Sequence, residues 1–569
     1  MKQFPDHGET ICMKGLLLNS LDQKEEAYKL AKDGLKKDLK SHVCWHVLGL
    51  LHRSDRNYPE ATKCYKSALR MDPGNAQIMR DLSLLQLRER DLVGFTDTRR
   101  QLLAAKPGVK QNWLSFVISE HLRGAPESAL EVMQKMDEAF AGQDEPMGRV
   151  ERSELILYKA TICVEVGKLE EAIDVLSSHE IVDSVGKNEL VAYILYRQGN
   201  FERCKQVLNA LLAVNSSHEG YLLTVMAVSG VFNPAPSHES VRHYLRLGET
   251  GFALSAAWSG YDAARISELH NLASNLSAGE LEARLAEIKD EFIGHQVKSE
   301  QFDLIALMLL PVDSEEFKNR LAAFVQTKLD KGVPSTFKML RRVCKNPKKQ
   351  DVVREVFERM VDDSSSGSPV RKTFALMGLA SLFDFAGNHL KAIELIDEAL
   401  KLTPTLIDLY VSKAKILKHL GDLETAAYTW EFARKLDLAD RYLNSKSVKA
   451  MLRIGEIEKA KETIMLFAKD SSDSTQSNLS EMQCMWWEFE LGKALVAKAD
   501  TDKAREVWKG TLKHFEDMAE DEFDFALYCL RKMTLRAYID FLRFGSRTRT
   551  HKYYRRTVEQ LEKLDTPSQ

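Results

Sequence analysis

The most regular feature of the chain is a pattern of small and apolar residues that returns every 34 positions. Three segments, GNHLKA, GDLETA and GEIEKA, lie in strict register in the C-terminal half. Their glycines and alanines are Gly387, Gly421 and Gly455, and Ala392, Ala426 and Ala460. Apolar residues three and four positions apart flank each segment, as in amphipathic helices, and a period of this length is typical of repeat proteins. The pattern therefore predicts helix pairs, each joined by a turn at a glycine.

One complete repeat unit is visible near the start of the chain. Its spacing is W-x2-L-G followed by A-x3-Y-x2-A-x4-P, carried by Trp45, Leu48, Gly49, Ala61, Tyr65, Ala68 and Pro73. Large residues at these positions fill the groove between two helices, small residues let the helices approach, and the proline ends the second helix. This is the tetratricopeptide pattern. We expect an all-α fold, a right-handed superhelical solenoid of tetratricopeptide repeats.

The 34-residue period is clear in some parts of the chain and hard to see in others, and on this basis we predict five segments. They are N-terminal repeats at 1–230, an irregular segment of helical pairs at 231–361, an exposed loop at 362–370, tetratricopeptide-like repeats at 371–542, and a divergent basic helix or tail at 543–569. The predicted loop contains the sequence DDSSSGSP, whose small polar residues are typical of turns and linkers.

Composition adds little that points to nucleic acid or to a membrane. The 569 residues include 80 Lys and Arg against 83 Asp and Glu, a balance that fits long solvated helices. No apolar run approaches the roughly 20 residues of a membrane span, and the first residues lack the apolar stretch of a secretory signal. The eight cysteines form no CxxC pair, which favours buried thiols in a reducing compartment. These features predict a cytosolic protein.

No motif in the sequence predicts catalysis or metal binding. There is no P-loop, no GxGxxG after a strand and no CxxC pair. His238 and His243 suggest a zinc motif, but they are five residues apart, so on one helix they would point about 140° from each other. A chaperone-type carboxylate clamp would need Lys and Asn where the best repeat has His46 and Leu50. We therefore expect no catalytic residue, no metal ligand and no such clamp.

Four lysines form a basic group in the C-terminal repeats. Alignment of the repeats at Ala426 and Ala460 places Lys415 and Lys449 at the same position of successive first helices, with Lys418 and Lys446 three residues away from them. Stacked lysines repel one another unless an anion or an acidic partner joins them. On the residues alone, four solvated lysines are the simpler interpretation, and a candidate anion site is the alternative.

A second basic run lies near the end of the chain. It comprises Arg543, Arg547, Arg549, Lys552, Arg555 and Arg556, interleaved with Tyr553 and Tyr554. Cations with stacking tyrosines could contact RNA, but the following Glu559 and Glu562 dilute the charge. An ordinary solvated helix face is the favoured interpretation.

Several longer stretches, many of them outside the repeat consensus, resemble one family. They are DLKSHVCWHVLGLLHRSDRNYPEATKCYKSAL (from Asp38), RDLSLLQ (from Arg80), KGVPSTF (from Lys331), LTPTLIDLY (from Leu402), KAKILKHLGD (from Lys413), ADRYLNSK (from Ala439), EMQCMWWE (from Glu481) and DEFDF…YCLRKMTLRAYIDFL (from Asp521). In this order they resemble the auxiliary subunit of the NatA N-terminal acetyltransferase, from about residue 7 to residue 542. Members of that family begin about one helix pair earlier and continue beyond this C-terminus.

The resemblance implies a non-catalytic helical scaffold that wraps and activates a GNAT-fold catalytic subunit. In that family the pair acetylates the α-amino group of nascent chains, with acetyl-CoA bound by the partner, and the auxiliary subunit docks the pair on the ribosome. It also implies recruitment of a second N-terminal acetyltransferase and of a small huntingtin-interacting protein, and no membrane partner. The location it implies is cytoplasmic and ribosome-associated, with a nuclear fraction. This sequence lacks the R/Q-x-x-G-x-G/A loop that would bind acetyl-CoA. The alternative is a general tetratricopeptide adaptor that pairs with no acetyltransferase.

The same resemblance changes the interpretation of the four lysines. In that family an inositol hexakisphosphate lies between the two subunits, held by the KAKxxKH and NSKxxK segments. In this sequence those segments supply Lys415, Lys418, Lys446 and Lys449. The resemblance therefore favours an inositol-phosphate site at the subunit interface over four solvated lysines.

Overall fold

The structure is a computed structural model that describes residues 6–142, 148–245, 247, 276–293, 299–363, 369–468, 475–545 and 548–565. All regular structure in these ranges is helical, and no strand occurs there. The expected all-α, tetratricopeptide-type fold is confirmed. No helix in the described ranges combines the length and the apolarity needed to cross a bilayer.

The helices fall into two compact units. The first unit comprises residues 1–194 and 518–546, and the second comprises residues 195–517 and 547–569. The first unit contains the helices Gly8–Ser20, Lys24–Lys37, His42–Ser54, Tyr58–Met71, Ala76–Arg88, Leu92–Ala105, Lys110–Leu122, Pro126–Ala139, Arg149–Val166, Leu169–Ser177 and Leu535–Gly545. Consecutive helices of this unit pack as pairs, and each pair also packs on the next one.

The second unit follows the same principle over most of its length. Its helices are Phe201–Val214, Glu219–Val228, His238–Tyr244, Ala278–Ile288, Glu300–Leu309, Glu315–Asp330, Thr336–Leu340, Pro347–Asp363, Pro369–Phe385, His389–Leu402, Ile407–Leu420, Leu423–Leu436, Arg441–Arg453, Ile457–Met465, Thr475–Glu481, Met485–Ala497 and Lys552–Asp565. Two further helices, Ser184–Arg197 and Thr501–Lys532, contain the boundaries between the units. The predicted limits of the five sequence segments stay predictions, and residues 364–368 of the predicted loop lie outside the described residues.

The repeat residues are small where two helices touch. Ala61, Ala68 and Tyr65 are fully buried, and a Cβ added to Gly49 would lie 2.4 Å from Tyr65 Cε1. Ala392, Ala426 and Ala460, which occupy the Ala61 position of later repeats, are buried as well. Close approach at these points lets each helix pair cover the apolar face of its neighbour, which a single pair cannot bury by itself.

The aromatic residue of the first helix in a pair also makes a recurring polar contact. Trp45 Nε1 donates a hydrogen bond to the Leu39 carbonyl oxygen at 2.9 Å, and Trp113 Nε1 donates to Pro107 at 2.8 Å. The Tyr410 hydroxyl donates to the Pro404 carbonyl at 2.7 Å. Each donor lies sixteen residues before a buried repeat alanine, and each acceptor lies six residues before its donor. The Trp or Tyr side chain therefore holds in place the loop that precedes its own helix.

The turns between paired helices require a left-handed backbone at one position. Gly387, Gly421 and Gly455 have φ of +85°, +97° and +80°. In the first repeats, where glycine is absent, Asp22, Arg56 and Arg90 take φ near +60° at the same 34-residue interval. These non-glycine residues show that the packing of the helix pair imposes the turn, since an L-residue adopts this conformation only at a cost of about 1–2 kcal/mol.

We predict that Gly49→Ala lowers the stability of the protein. The added methyl group meets the buried Tyr65 ring, and overpacking of this kind costs about 1–3 kcal/mol. Gly279→Ala is the matched control, because its methyl group would meet no atom within 4 Å and it also lies in a helix. Thermal melting should show a lower midpoint for Gly49→Ala alone, and equal midpoints would refute the packing argument.

Candidate anion-binding site

The four lysines lie on two helices that begin successive pairs. Lys415 and Lys418 belong to the helix Ile407–Leu420, and Lys446 and Lys449 belong to the helix Arg441–Arg453. Gly421 ends the first helix in a left-handed turn, and the Asp440 carboxylate caps the second by accepting from the Tyr442 and Leu443 amides. The 34-residue register of the repeats brings the two lysine pairs to one place.

All four lysines line a single pocket of about 270 Å³. The other residues of its wall are His419, Leu423, Ala426, Trp430, Ala450 and Arg453. Its floor comes from the intervening helix Leu423–Leu436, where the small Ala426 leaves room and the buried Trp430 supplies an apolar surface. The pocket thus combines six cationic or ionisable side chains with an apolar base.

His419 and Arg453 are pocket residues that the repeat alignment alone did not single out. His419 directly follows Lys418, and Arg453 lies four residues after Lys449 on the same helix face. Extension of the lysine pattern by one helical turn would have found Arg453. Nothing in the spacing indicates which side of its helix His419 occupies.

Among the described residues, no carboxylate lies within ion-pair distance of any of the four ammonium groups. By contrast, Lys413 on the same helix pairs with Asp397 at 2.6 Å. Two of the pocket lysines lie over aromatic rings instead: Lys446 Nζ is 5.1 Å from the Tyr442 ring centroid, and Lys449 Nζ is 4.7 Å from that of Trp486. These rings position the cations without neutralising them.

The surroundings of the pocket lower the pKa of three of its four lysines. Burial lowers the pKa of Lys415, and the nearby Lys338 ammonium lowers it further. Burial also lowers the pKa of Lys418, with Arg453 as the next cause. The pKa of Lys449 is lowered by burial as well, against an opposing contribution from Glu490. Because burial and mutual repulsion both disfavour the charged forms, an anion in this pocket would be stabilised by every one of these groups.

The two histidines of the possible zinc motif and the second basic run were the other candidates from the sequence. His238 and His243 lie on the short helix His238–Tyr244, and the His238 ring packs edge-on against Tyr196. In the second basic run, Arg543 pairs with Glu165 at 3.7 Å and Arg556 lies 4.2 Å from the Phe489 ring centroid. Arg547 lies outside the described residues. Arg543 therefore forms an ion pair, Arg556 lies against an aromatic ring, and the solvated helix face stays a prediction.

Two protein families match the chain. Residues 150–562 match the family described as "N-terminal acetyltransferase A, auxiliary subunit". Residues 46–110 match "Tetratricopeptide repeat", the region in which the spacing of Trp45 to Pro73 indicated that fold.

Curated relatives are similar over nearly the whole chain. The "N-terminal acetyltransferase A complex auxiliary subunit NAA15" of Arabidopsis thaliana is 38% identical over 98% of this chain and 59% of that protein. The "N-alpha-acetyltransferase 16, NatA auxiliary subunit" of Homo sapiens is 34% identical over 97% of this chain and 60% of that protein. The chain thus spans about 60% of the length of these relatives.

A solved structure is similar in fold over the full chain. It is described as "Structure of Naa15/Naa10 bound to HypK-THB", and the match has a TM-score of 0.84 at 31% identity. It covers 100% of this chain and 80% of the matched chain.

We predict that removal of two pocket lysine charges, in Lys418→Gln with Lys449→Gln, stabilises the protein at low salt and without polyanions. The folded pKa of each lysine is lowered, so between that pKa and about 10.5 the unfolded chain binds more protons. As pH rises through this window, the free energy of unfolding should therefore increase more for the wild type than for the variant. Chemical denaturation from about pH 7 to about pH 10.5 measures the difference.

The matched control for that experiment is Lys413→Gln. This lysine lies on the same helix, but it is already paired with Asp397, so its removal should not stabilise the protein. A variant lacking Lys418 and Lys449 that is no more stable than the control at low salt would show that the pocket charges do not repel each other appreciably.

Proposed function

The chain belongs to the family of N-terminal acetyltransferase A auxiliary subunits, and we propose that it is the non-catalytic scaffold of such a complex. In this role it wraps and activates a GNAT-fold catalytic subunit. That subunit binds acetyl-CoA and acetylates the α-amino group of nascent chains.

The observation that carries this proposal is the structural match over the full chain. A TM-score of 0.84 at 31% identity means that the helix pairs of this chain follow those of a protein described together with Naa10 and HypK. The relatives at 38% and 34% identity are named as auxiliary subunits. The lack of an acetyl-CoA loop in the sequence is consistent with chemistry that resides in a partner.

The architecture suits a scaffold for physical reasons. Where successive pairs keep the 34-residue register, equivalent positions of their first helices become neighbours, so side chains from different pairs form rows. Such rows bind another protein over a large area, whereas an enzyme active site needs a few groups that converge at one point. The pocket lysines are one of these rows.

For the lysine pocket we propose inositol hexakisphosphate as the ligand, bound where the catalytic subunit meets the scaffold. Phosphate oxygens form charge-assisted hydrogen bonds with ammonium and guanidinium groups, and the unpaired lysines and Arg453 offer several such donors in one place. A ligand with many phosphates can satisfy these donors and still contact basic groups of a partner. It would then join two surfaces that repel each other without it.

This role places the protein in the cytoplasm, at the ribosome, where nascent chains emerge. A nuclear fraction is compatible with the same role. Other proposed partners are the ribosome itself, a second N-terminal acetyltransferase, and a small huntingtin-interacting protein like the HypK of the matched complex. No membrane partner is proposed.

Co-expression with the catalytic subunit of the same organism tests the scaffold role. We expect a stable one-to-one complex in size-exclusion chromatography with light scattering. Peptide acetylation should be strong for the complex and absent for this chain alone. Failure to form a complex would favour a general tetratricopeptide adaptor, and acetylation by the isolated chain would overturn the non-catalytic assignment.

We predict that Lys446→Glu with Lys449→Glu abolishes stabilisation by inositol hexakisphosphate and weakens binding of the catalytic subunit at least tenfold. Charge reversal turns two phosphate donors into groups that repel phosphate. The matched control is Lys66→Glu with Lys401→Glu, which reverses two exposed lysines outside the pocket. The readouts are the ligand-induced shift in melting temperature and the Kd of the complex, and equal shifts in both variants would exclude this pocket as the ligand site.

A further inference from the structure

Two histidines and an aspartate converge at the edge of the lysine pocket, and one of them, His419, also lines that pocket. Asp384 lies in the last turn of the helix Pro369–Phe385, and His389 is the first residue of the helix His389–Leu402. His419 lies in the last turn of the helix Ile407–Leu420. Three helices of two successive pairs therefore supply one side chain each.

The local backbone fixes where these side chains point. Gly387 turns the chain with φ of +85°, and the Asn388 side chain caps the next helix by accepting from the Lys391 amide. This short connection holds His389 close to Asp384, five residues earlier. The packing of the helix Ile407–Leu420 on its predecessor then brings in His419, 35 residues after Asp384. No spacing motif reveals this set, because Asp384 and His389 lie on either side of the turn at Gly387 and His419 lies one repeat later.

The three side chains meet through atoms that bind metals. Asp384 Oδ1 lies 2.9 Å from His389 Nδ1 and 2.9 Å from His419 Nδ1, and Asp384 Oδ2 is also 2.9 Å from His419 Nδ1. One ligand atom from each residue lies within 4.8 Å of the other two. In a tetrahedral zinc site with bonds of about 2.0–2.1 Å, ligand atoms are about 3.3 Å apart. The observed separations, 2.9 Å between carboxylate and imidazole atoms and no more than 4.8 Å within the set, bracket this value, so small side-chain rotations would convert the contact into a coordination shell.

From this geometry we propose that Asp384, His389 and His419 bind a divalent metal ion of the zinc class, with water in the remaining positions. Two imidazoles and one carboxylate suit Zn²⁺ and its neighbours Co²⁺, Ni²⁺ and Cu²⁺ better than Mg²⁺ or Ca²⁺, which prefer oxygen ligands. The side chains are 25%, 16% and 42% exposed for His389, Asp384 and His419, so an ion reaches them from solvent. The ion would tie two successive helix pairs together at their edge.

The same contact has a simpler interpretation, a carboxylate that accepts hydrogen bonds from two neutral imidazoles. The two interpretations differ in their response to metal. A hydrogen-bonded triad gains nothing from Zn²⁺ or Co²⁺, whereas a metal site binds one equivalent and becomes more stable in proportion to its occupancy.

The neighbouring lysine pocket should influence the affinity of the metal site. His419 lines that pocket, and the Lys418 ammonium and the Asp384 carboxylate are close enough to influence each other. A cation at Asp384 is repelled by Lys418, so loss of this lysine charge should tighten metal binding. By reciprocity of linked sites, an anion in the pocket and a metal at the triad should favour each other.

The test is titration of the purified full chain with Co²⁺ and, separately, with Zn²⁺ in competition with a chromogenic chelator, without inositol phosphates because these chelate metals. Wild type should bind one equivalent, with the visible absorption of Co²⁺ in nitrogen and oxygen ligands. The near-ultraviolet band of thiolate ligation should be absent, because the proposed ligands include no cysteine and seven of the eight cysteines are buried. His389→Gln and His419→Gln should each weaken binding at least tenfold, and Asp384→Asn should also weaken it.

Two variants complete the design. His179→Gln is the matched control, because His179 is an exposed histidine whose ring is hydrogen-bonded to Ser178 and Val175 of its own segment, and it should leave metal binding unchanged. Lys418→Gln should tighten Zn²⁺ binding. The proposal is overturned if wild type binds no Co²⁺ or Zn²⁺ at 100 times the protein concentration, or if the double variant His389→Gln with His419→Gln binds as tightly as wild type. Circular dichroism of each variant verifies that it is folded.

Discussion

A pair of amphipathic helices cannot bury its own apolar face, and every other feature of this chain depends on that constraint. Neighbouring pairs must cover each other, which requires small residues where their helices touch. Small residues are also needed within a pair, where Gly49 lies against Tyr65, and the alanines Ala61 and Ala426 are buried at the equivalent position of two different repeats. Because the cover is supplied at a constant interval, the chain gains length without needing a single large core.

The same constant interval determines where charge accumulates. Residues 34 positions apart on successive first helices become neighbours, so Lys415 and Lys449 are brought together by the fold and not by a local motif. Here the described residues leave them unpaired, and burial lowers the pKa values of Lys415, Lys418 and Lys449. An anion bound among these lysines would offset this cost, which is why we propose the pocket as a ligand site.

Features repeated along the sequence could be predicted, and features formed by single contacts could not. The glycine turns and the buried alanines follow from the period itself, as does the shared position of the lysine pairs. The left-handed turns at Asp22 and Arg56 were not predictable, because these residues carry no signature of positive φ and the packing of the helix pair imposes it. His419 and the Asp384 triad were also missed, since which side of a helix faces a neighbour depends on packing that spacing does not encode.

The central claim is that stacked helix pairs hold a separate catalytic protein, with the lysine pocket at the interface. Cryo-electron microscopy of this chain purified together with its catalytic subunit tests the claim most directly. The account predicts that the subunit contacts the helices Ile407–Leu420 and Arg441–Arg453, with density for a phosphate-rich ligand among Lys415, Lys418, Lys446 and Lys449. A complex in which these helices face solvent and the pocket contains no ligand would contradict it.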